Sequence, residues 1–124
     1  MANILLVDDD HDFLKLQGEL LRCAEHRVVT VNNGKEAMSV AKETPFDLVI
    51  TDLVMPEKEG IEIIIELRRT FPALKIIAMS GGGRVDAKDY LVIARQLGAS
   101  LTLAKPFTGK ELLNAVNTVL QKPA

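Results

Sequence analysis

Residues 4–10 read ILLVDDD, a run of four branched apolar side chains that stops abruptly at three acids. Similar runs at residues 48–52 (LVITD) and 76–80 (IIAMS) also stop at a polar residue. Short unbroken apolar runs are typical of strands that are covered on both faces, as in a parallel sheet. Two weaker runs, at residues 28–31 and 101–104, contain a threonine. We therefore expect five strands, with the two weaker ones at the edges of the sheet.

Apolar residues at helical spacing fill the segments that follow the predicted strands. The five stripes are Phe13, Leu16, Leu20 and Ala24; Ala37, Val40 and Ala41; Ile61, Ile64 and Ile65; Leu91, Ala94 and Leu97; and Leu112, Val116, Val119 and Leu120. Strands that alternate with helices predict an α/β fold with a parallel sheet and helices on both faces. Right-handed crossovers and central apolar strands favour the order 2-1-3-4-5, the flavodoxin-like doubly wound (βα)5 arrangement.

Several residues mark the expected ends of these helices. Asp10 precedes the first helix and is predicted to cap it. Thr108 and Glu111 have the spacing of a capping box at the start of the last helix. Asn33-Gly34 indicates a loop, and Gly98 is predicted to end the fourth helix.

Length and composition limit the classes of protein that this chain can represent. Its 124 residues correspond to one domain, and the 48% of hydrophobic residues argue against disorder. The net charge of −2 excludes non-specific nucleic-acid binding by this chain alone. No signal peptide or membrane span is evident, so we expect a cytoplasmic protein. The one cysteine, Cys23, cannot form an internal disulfide and is interpreted as a small packed residue of the first helix.

Five polar residues follow or end the predicted strands, and they should meet at one edge of the sheet. They are Asp8, Asp9, Asp52, Ser80 and Lys105. Ligands of such sheets bind beyond the carboxyl ends of the strands, here between the first and third. Three clustered carboxylates repel one another, and a hard divalent cation such as Mg²⁺ removes that repulsion. A carboxylate beside such an ion and a lysine is well placed to attack phosphorus.

These motifs together resemble the receiver domain of response regulators in two-component signalling, the CheY-like family. The matching pieces are residues 4–10, residues 47–56 with Gly60 after them, residues 79–81, Gly98-Ala99 and residues 105–107. The resemblance implies that Asp52 is the phosphoacceptor. The phosphoryl group would come from a phosphohistidine of a sensor histidine kinase or of a histidine phosphotransfer protein.

The resemblance also implies roles for the other residues of the site. Asp8 and Asp9 would hold Mg²⁺, with Mn²⁺ as an alternative ion, together with Asp52 and the backbone carbonyl of Val54. Ser80 and Lys105 would grip the phosphoryl oxygens. The Lys105–Pro106 bond is expected to be cis.

On this interpretation the chain is no enzyme, because it catalyses only its own phosphorylation and dephosphorylation. We expect one receiver domain at residues 1–124, with no output domain. A downstream protein would bind the face made by the fourth helix, fifth strand and fifth helix. The family often has Tyr or Phe where Thr102 stands. We therefore expect switching through Ser80 and the loop that starts at Gly81-Gly82-Gly83.

Two other classes remain open from the sequence. Asp8-x-Asp10 after a strand also resembles the opening of a haloacid-dehalogenase-type phosphatase, with Asp8 as the nucleophile. Many turnovers on a phosphate ester would distinguish that enzyme from a receiver. A pseudo-receiver that binds partners without phosphate is the third class, and the intact set of five polar residues argues against it. His11, beside the acids, is interpreted as an exposed first-turn histidine, since imidazole is not the usual partner of Mg²⁺.

Overall fold

A computed structural model describes residues 1–53, 60–81, 92 and 94–121. Its centre is a five-stranded parallel sheet in the order β2-β1-β3-β4-β5, which confirms the predicted order and edge strands. The strands are β1 (Asn3–Val7), β2 (Arg27–Val31), β3 (Leu48–Asp52), β4 (Lys75–Gly81) and β5 (Leu101–Lys105). Every residue of β3 is buried, whereas β2 alternates between exposed and half-buried residues until Val31.

Helices cover both faces of this sheet. They are α1 (His11–Cys23), α2 (Gly34–Glu43), α3 (Gly60–Thr70) and a C-terminal helix (Gly109–Gln121). Of the predicted fourth helix, residues 92 and 94–96 have helical backbone, and residues 82–91 lie outside the described part of the chain. No helix among the described residues is long and apolar enough to cross a membrane.

Alternate residues of the strands build two separate cores. Leu5 and Val7 of β1 pack with α2 and α3 on one face. Ile4 and Leu6 pack with α1 and the C-terminal helix on the other. Because successive side chains of a strand point to opposite faces, a strand buried on both faces must be apolar throughout. This explains why the central strands are unbroken apolar runs.

The caps of two helices agree with the sequence. The side chain of Asp10 accepts the N–H of Phe13 at 3.1 Å and so fixes the start of α1. Thr108 Oγ1 accepts the N–H of Glu111 at 3.1 Å, and Glu111 Oε1 accepts the N–H of Thr108 at 3.0 Å. Both helices therefore begin at fixed points close to the carboxyl edge of the sheet.

The predicted buried face of α1 is correct only in part: Phe13 and Leu20 are half-buried and pack against the core, whereas Leu16 does not. Leu16 is 64% exposed, and the buried residues are Leu14, Gln17, Gly18 and Leu21. The polar Gln17 and the small Gly18 occupy the middle of the buried face, so the apolar pattern marks only one side of that face. Cys23 is exposed rather than packed, because it lies two positions after Leu21, about 200° around the helix.

Two smaller expectations also differ from the structure. Asn33 lies in the short loop before α2 as expected, but Gly34 already begins that helix, and the side chain of Asn33 caps it by accepting the N–H of Glu36 at 2.8 Å. In α3, Ile65 is 38% exposed, whereas Ile63 and Ile64 are fully buried. Gly98 follows the helical residues 94–96 as expected, with φ of +109°, a backbone region that favours glycine.

Candidate functional site

Three acids meet at the carboxyl edge of the sheet. Asp8 and Asp9 follow β1 directly, and Asp52 is the last residue of β3. The two strands are neighbours, with Val7 opposite Thr51, so the acids that come next lie side by side. One carboxylate oxygen from each of Asp8, Asp9 and Asp52 lies within 4.8 Å of the others. The structure thus brings together the three acids that the sequence singled out.

The ammonium of Lys105 reaches this cluster from the end of β5. Lys105 Nζ lies 2.6 Å from Asp8 Oδ2 and 3.5 Å from Asp52 Oδ2. Since β5 is separated from β1 by two strands, the long lysine side chain is what allows this contact. The bond that follows, Lys105–Pro106, is cis, as expected.

The acids differ sharply in their exposure to water. Asp8 is fully buried and Asp52 is 7% exposed, whereas Asp9 is exposed. Burial raises the pKa of the Asp8 carboxyl, although the hydrogen bond from Lys105 and the N–H of Asp10, 3.0 Å from Oδ1, oppose that rise. A buried carboxylate among other acids is therefore held at some cost in stability.

The pKa of Lys105 moves in the direction that keeps its charge. Burial alone would lower the pKa of the ammonium. The hydrogen bond to Asp8 and the negative charges of Asp52 and Asp8 outweigh burial and raise it. Lys105 is therefore a permanent cation within the acid cluster.

The remaining predicted residues take different places. Ser80 is buried near the end of β4, one residue beyond Met79, which is the register partner of Asp52. Thr102 is half-buried in β5, opposite Ala78. Val54 and the loop residues Gly82-Gly83 lie outside the described residues. His11 is exposed at the start of α1, where its Nε2 lies 3.4 Å from Asn32 Nδ2.

Two aromatic residues at the site were not predicted from the sequence. Lys105 Nζ lies over the ring of Phe13, 4.2 Å from its centroid. The ring of Phe107 meets Phe13 edge to face, with centroids 5.9 Å apart. Phe13 belongs to the predicted apolar stripe of α1. Two features of the sequence could have indicated this contact. Phe13 lies in the first helical turn after the acids, and Phe107 lies two residues after Lys105.

Comparisons with known proteins agree with this geometry. A sequence model of the response regulator receiver domain matches residues 4–117. The transcriptional regulatory protein CpxR of Escherichia coli strain K12 is 33% identical over 122 residues, which cover 98% of this chain and 50% of that protein. A crystal structure of a receiver domain protein from Clostridium thermocellum is 30% identical, with a TM-score of 0.89 over 97% of this chain and 94% of that one.

The chemotaxis response regulator CheY4 of Vibrio cholerae is a second structural relative. It is 28% identical, with a TM-score of 0.85, and the match covers 96% of this chain and 98% of that one. By contrast, the chain spans about half the length, 50%, of CpxR.

Proposed function

The chain belongs to the response regulator receiver domain family of two-component systems, and on that premise we propose that Asp52 accepts a phosphoryl group. One observation carries the proposal: Asp52 lies between an ammonium at 3.5 Å and two other carboxylates within 4.8 Å. Such a set can orient a carboxylate nucleophile and neutralise charge that moves onto phosphoryl oxygens.

The proposed donor is a phosphohistidine of a sensor histidine kinase or of a histidine phosphotransfer protein. A carboxylate oxygen of Asp52 attacks the phosphorus, the P–N bond breaks, and the imidazole nitrogen keeps the bonding electron pair. The product is an acyl phosphate at residue 52. Water later cleaves it to inorganic phosphate and restores the carboxylate. The chain then acts only on itself, so we propose that it is no enzyme for a separate substrate.

The acid cluster fits a hard divalent cation. Asp8, Asp9 and Asp52 offer oxygen ligands only, and within this set three carboxylates face one ammonium. Oxygen ligands with excess negative charge suit Mg²⁺, and Mn²⁺ accepts the same ligands. When bound, the ion would neutralise charge on the phosphoryl oxygens. The backbone carbonyl of Val54, the fourth expected ligand, lies outside the described residues.

Lys105 and Ser80 are the proposed partners of the transferred group. The Lys105 ammonium already lies 3.5 Å from Asp52 Oδ2, so a phosphoryl group on that carboxylate comes within its reach. Ser80 lies on the neighbouring strand, one residue beyond the level of Asp52, where a hydroxyl can donate to a phosphoryl oxygen. Both residues bind the group without serving as nucleophile.

We further propose that phosphorylation changes partner binding. Lys105 ends β5, which belongs to the predicted docking face, and Ser80 lies on the neighbouring β4, so a charge at Asp52 acts on both strands. That face consists of the fourth helix, β5 and the C-terminal helix. Thr102 is too small to act as a swinging aromatic switch, so the signal would pass through Ser80 and the loop after Gly81. Residues 82–91 of that loop and helix lie outside the described residues.

The proposal is tested by incubating the chain with acetyl phosphate and Mg²⁺ and measuring its intact mass. We expect one added phosphoryl group in the wild type and in Asp47→Asn, and none in Asp52→Asn. Asp47 is a matched control, since it lies just before β3 and accepts the N–H of Asn3 at 2.8 Å. Full labelling of Asp52→Asn would refute the proposal. Absence of any labelling would point to a pseudo-receiver, and sustained turnover of a phosphate ester to a phosphatase.

A further inference from the structure

The ammonium of Lys105 has an aromatic neighbour in addition to its two carboxylates. Its Nζ lies 4.2 Å from the centroid of the Phe13 ring, inside the distance at which a cation is attracted by the face of an aromatic ring. The same atom lies 2.6 Å from Asp8 and 3.5 Å from Asp52. The ammonium is therefore held between a ring on one side and carboxylates on the other.

The ring itself is fixed from two directions. The backbone N–H of Phe13 donates to the capping side chain of Asp10 at 3.1 Å, which fixes the start of α1. The edge-to-face contact with Phe107, at an interplanar angle of 81°, sets the orientation of the ring. Both rings also pack against the core on that face of the sheet. A ring held in this way is a preorganised support for the lysine beside it.

An aromatic ring and a carboxylate interact with an ammonium in different ways. A carboxylate oxygen binds one N–H in a defined direction, whereas the ring attracts the charge as a whole. The N–H groups of Lys105 thus remain available for oxygens on Asp8, Asp52 or a phosphoryl group. A lysine side chain is long and flexible. The contact with the ring restricts the position of the ammonium but does not occupy its N–H donors.

We propose that Phe13 is a positioning residue for Lys105, whose ring holds the ammonium over the acid cluster. The consequence for phosphorylation rests on the proposed function of Asp52. The contact itself does not, because it is present in the unphosphorylated chain. The competing interpretation is that Phe13 only fills space between α1 and the core, as its place in the apolar stripe indicated.

Substitutions separate the two interpretations. Phe13→Leu keeps an apolar side chain and removes the ring, whereas Phe13→Tyr keeps the ring. Phe46→Leu is the matched control, because Phe46 packs against the core on the other face of the sheet. With acetyl phosphate and Mg²⁺, we expect Phe13→Leu to be phosphorylated about 3- to 10-fold more slowly, a range typical of a partly exposed cation–ring contact. The phosphorylation rates of Phe13→Tyr and Phe46→Leu should stay within about twofold of the wild-type rate, because both variants keep an aromatic ring at position 13.

A second substitution shows whether the effect passes through the lysine. In a Lys105→Met background, Phe13→Leu should cause no further loss of rate, because the cation that the ring positions is absent. An equal loss in both backgrounds would mean that Phe13 only supports the fold, and it would overturn the proposal. So would an unchanged rate in Phe13→Leu together with normal labelling of the wild type.

A spectroscopic measurement tests for the contact between Lys105 and Phe13 independently of phosphorylation. Because Lys105 Nζ lies over the face of the ring, the protons of the ε-methylene bonded to it should have NMR signals shifted upfield by the ring current. The shift should persist in Phe13→Tyr and Phe46→Leu and disappear in Phe13→Leu. If the wild type takes up no phosphoryl group but the shift is present, the proposed function fails and the positioning contact stands. Unshifted signals in the wild type would overturn the positioning proposal, whatever the labelling shows.

Discussion

The main charged residues at the two edges of the sheet differ in the groups that they contact. At the carboxyl edge, Lys105, Asp8 and Asp52 face one another, and the acids are buried. At the amino edge, Arg68, Asp47 and Lys75 bind backbone carbonyls or N–H groups. The guanidinium of Arg68 donates to the carbonyls of Pro72 at 2.8 Å, Leu74 at 2.6 Å and Gly98 at 2.7 Å.

Other contacts at the amino edge follow the same rule. The carboxylate of Asp47 accepts the N–H of Asn3, at the start of β1. Lys75 Nζ lies 3.3 Å from the carbonyl of Leu120, near the end of the C-terminal helix. Each of these charges binds a backbone group where a strand begins or a helix ends, so each ties one element to another.

The difference predicts that the amino-edge contacts stabilise the fold, whereas the carboxyl edge is the place of the proposed chemistry. A charged side chain that binds backbone groups satisfies their hydrogen bonds and holds neighbouring elements together. Carboxylates buried beside one another raise the free energy of the folded chain unless a cation joins them. A fold retains such an arrangement where function requires it, since local conflict is concentrated at functional sites. Substitutions at the two edges should therefore affect different measurements.

The largest effect is expected from Lys105→Met, on phosphorylation. The variant keeps the apolar stem and removes the cation, so phosphorylation by acetyl phosphate should slow by about 100-fold, as on loss of one preorganised charge-stabilising donor. The far-ultraviolet circular dichroism should stay that of the wild type. Lys110→Met, which changes an exposed lysine of the C-terminal helix, is the control and should react normally. An unfolded Lys105→Met chain would assign the lysine to the fold instead.

Arg68→Met should have the next largest effect, and on stability alone. It removes donors from three carbonyls at the amino edge, so the free energy of unfolding should fall by about 2 kcal/mol. Urea denaturation measures the change. Arg69→Met, at an exposed neighbouring position, should change it by less than about 0.5 kcal/mol. Equal losses in both variants, or a slower phosphorylation of folded Arg68→Met, would remove the contrast between the edges.

Asp8→Asn tests how much the buried carboxylate lowers the free energy of unfolding, through the pH dependence of that free energy. Burial raises the pKa of Asp8 above its ordinary value of 3.8, so the folded chain binds this proton more tightly than the unfolded chain. That contribution to stability is complete below pH 3.8 and is lost as the pH rises through the folded-state pKa. Without metal, Asp8→Asn should therefore be more stable than the wild type at neutral pH. The gain in the free energy of unfolding should be smaller than the loss expected for Arg68→Met, because the variant also loses the ion pair with Lys105.

The difference should shrink as the pH falls through the folded-state pKa and then below 3.8, where Asp8 of the wild type becomes protonated in both states. Thermal denaturation across this range, with Asp12→Asn as an exposed-acid control, measures it. A destabilised Asp8→Asn at neutral pH would show that the ion pair outweighs burial and that Asp8 stabilises the fold.

The smallest effect is expected at His26, near the amino edge. Its Nδ1 accepts the N–H of Ala2 at 3.1 Å, and burial, with a smaller effect from the N-terminal charge, lowers its pKa below 6.5. Stability from this contact is present above pH 6.5 and is lost as the pH falls through the folded-state pKa. The loss should stay under about 1 kcal/mol, because the contact is one neutral hydrogen bond.

His26→Asn keeps an acceptor at a similar position but does not titrate. Its unfolding free energy should therefore lack the decline that the wild type shows below pH 6.5. His11→Asn, at the exposed histidine of α1, should keep that decline. The same decline in His26→Asn would exclude His26 as its source.

The sequence predicts the carboxyl edge far better than the amino edge. Asp8 and Asp52 each follow or end an apolar run, and the order of the strands brings such ends together. A strand end is a local signal, so residues that function there can be found without the structure. The sheet order follows from the same runs, because the most apolar strands must be central.

The contacts that the sequence does not predict join residues far apart in the chain. Arg68 binds the carbonyl of Gly98, and Phe13 supports Lys105, yet neither residue differs in local pattern from an ordinary helical residue. The buried face of α1 was predicted only in part for a similar reason. Gln17 and Gly18 lie in its centre, and only packing against the sheet shows that a glutamine and a glycine face the core.

The most direct test is to locate the phosphoryl group chemically. After treatment with acetyl phosphate and Mg²⁺, borohydride reduces an aspartyl phosphate to homoserine, and mass spectrometry of the peptides identifies the residue. We expect homoserine at position 52 alone, in the wild type and in Arg68→Met alike. Homoserine at position 8 would instead indicate a phosphatase-type nucleophile. It would contradict the account in which Asp52 is the acceptor and Asp8 one of its supports.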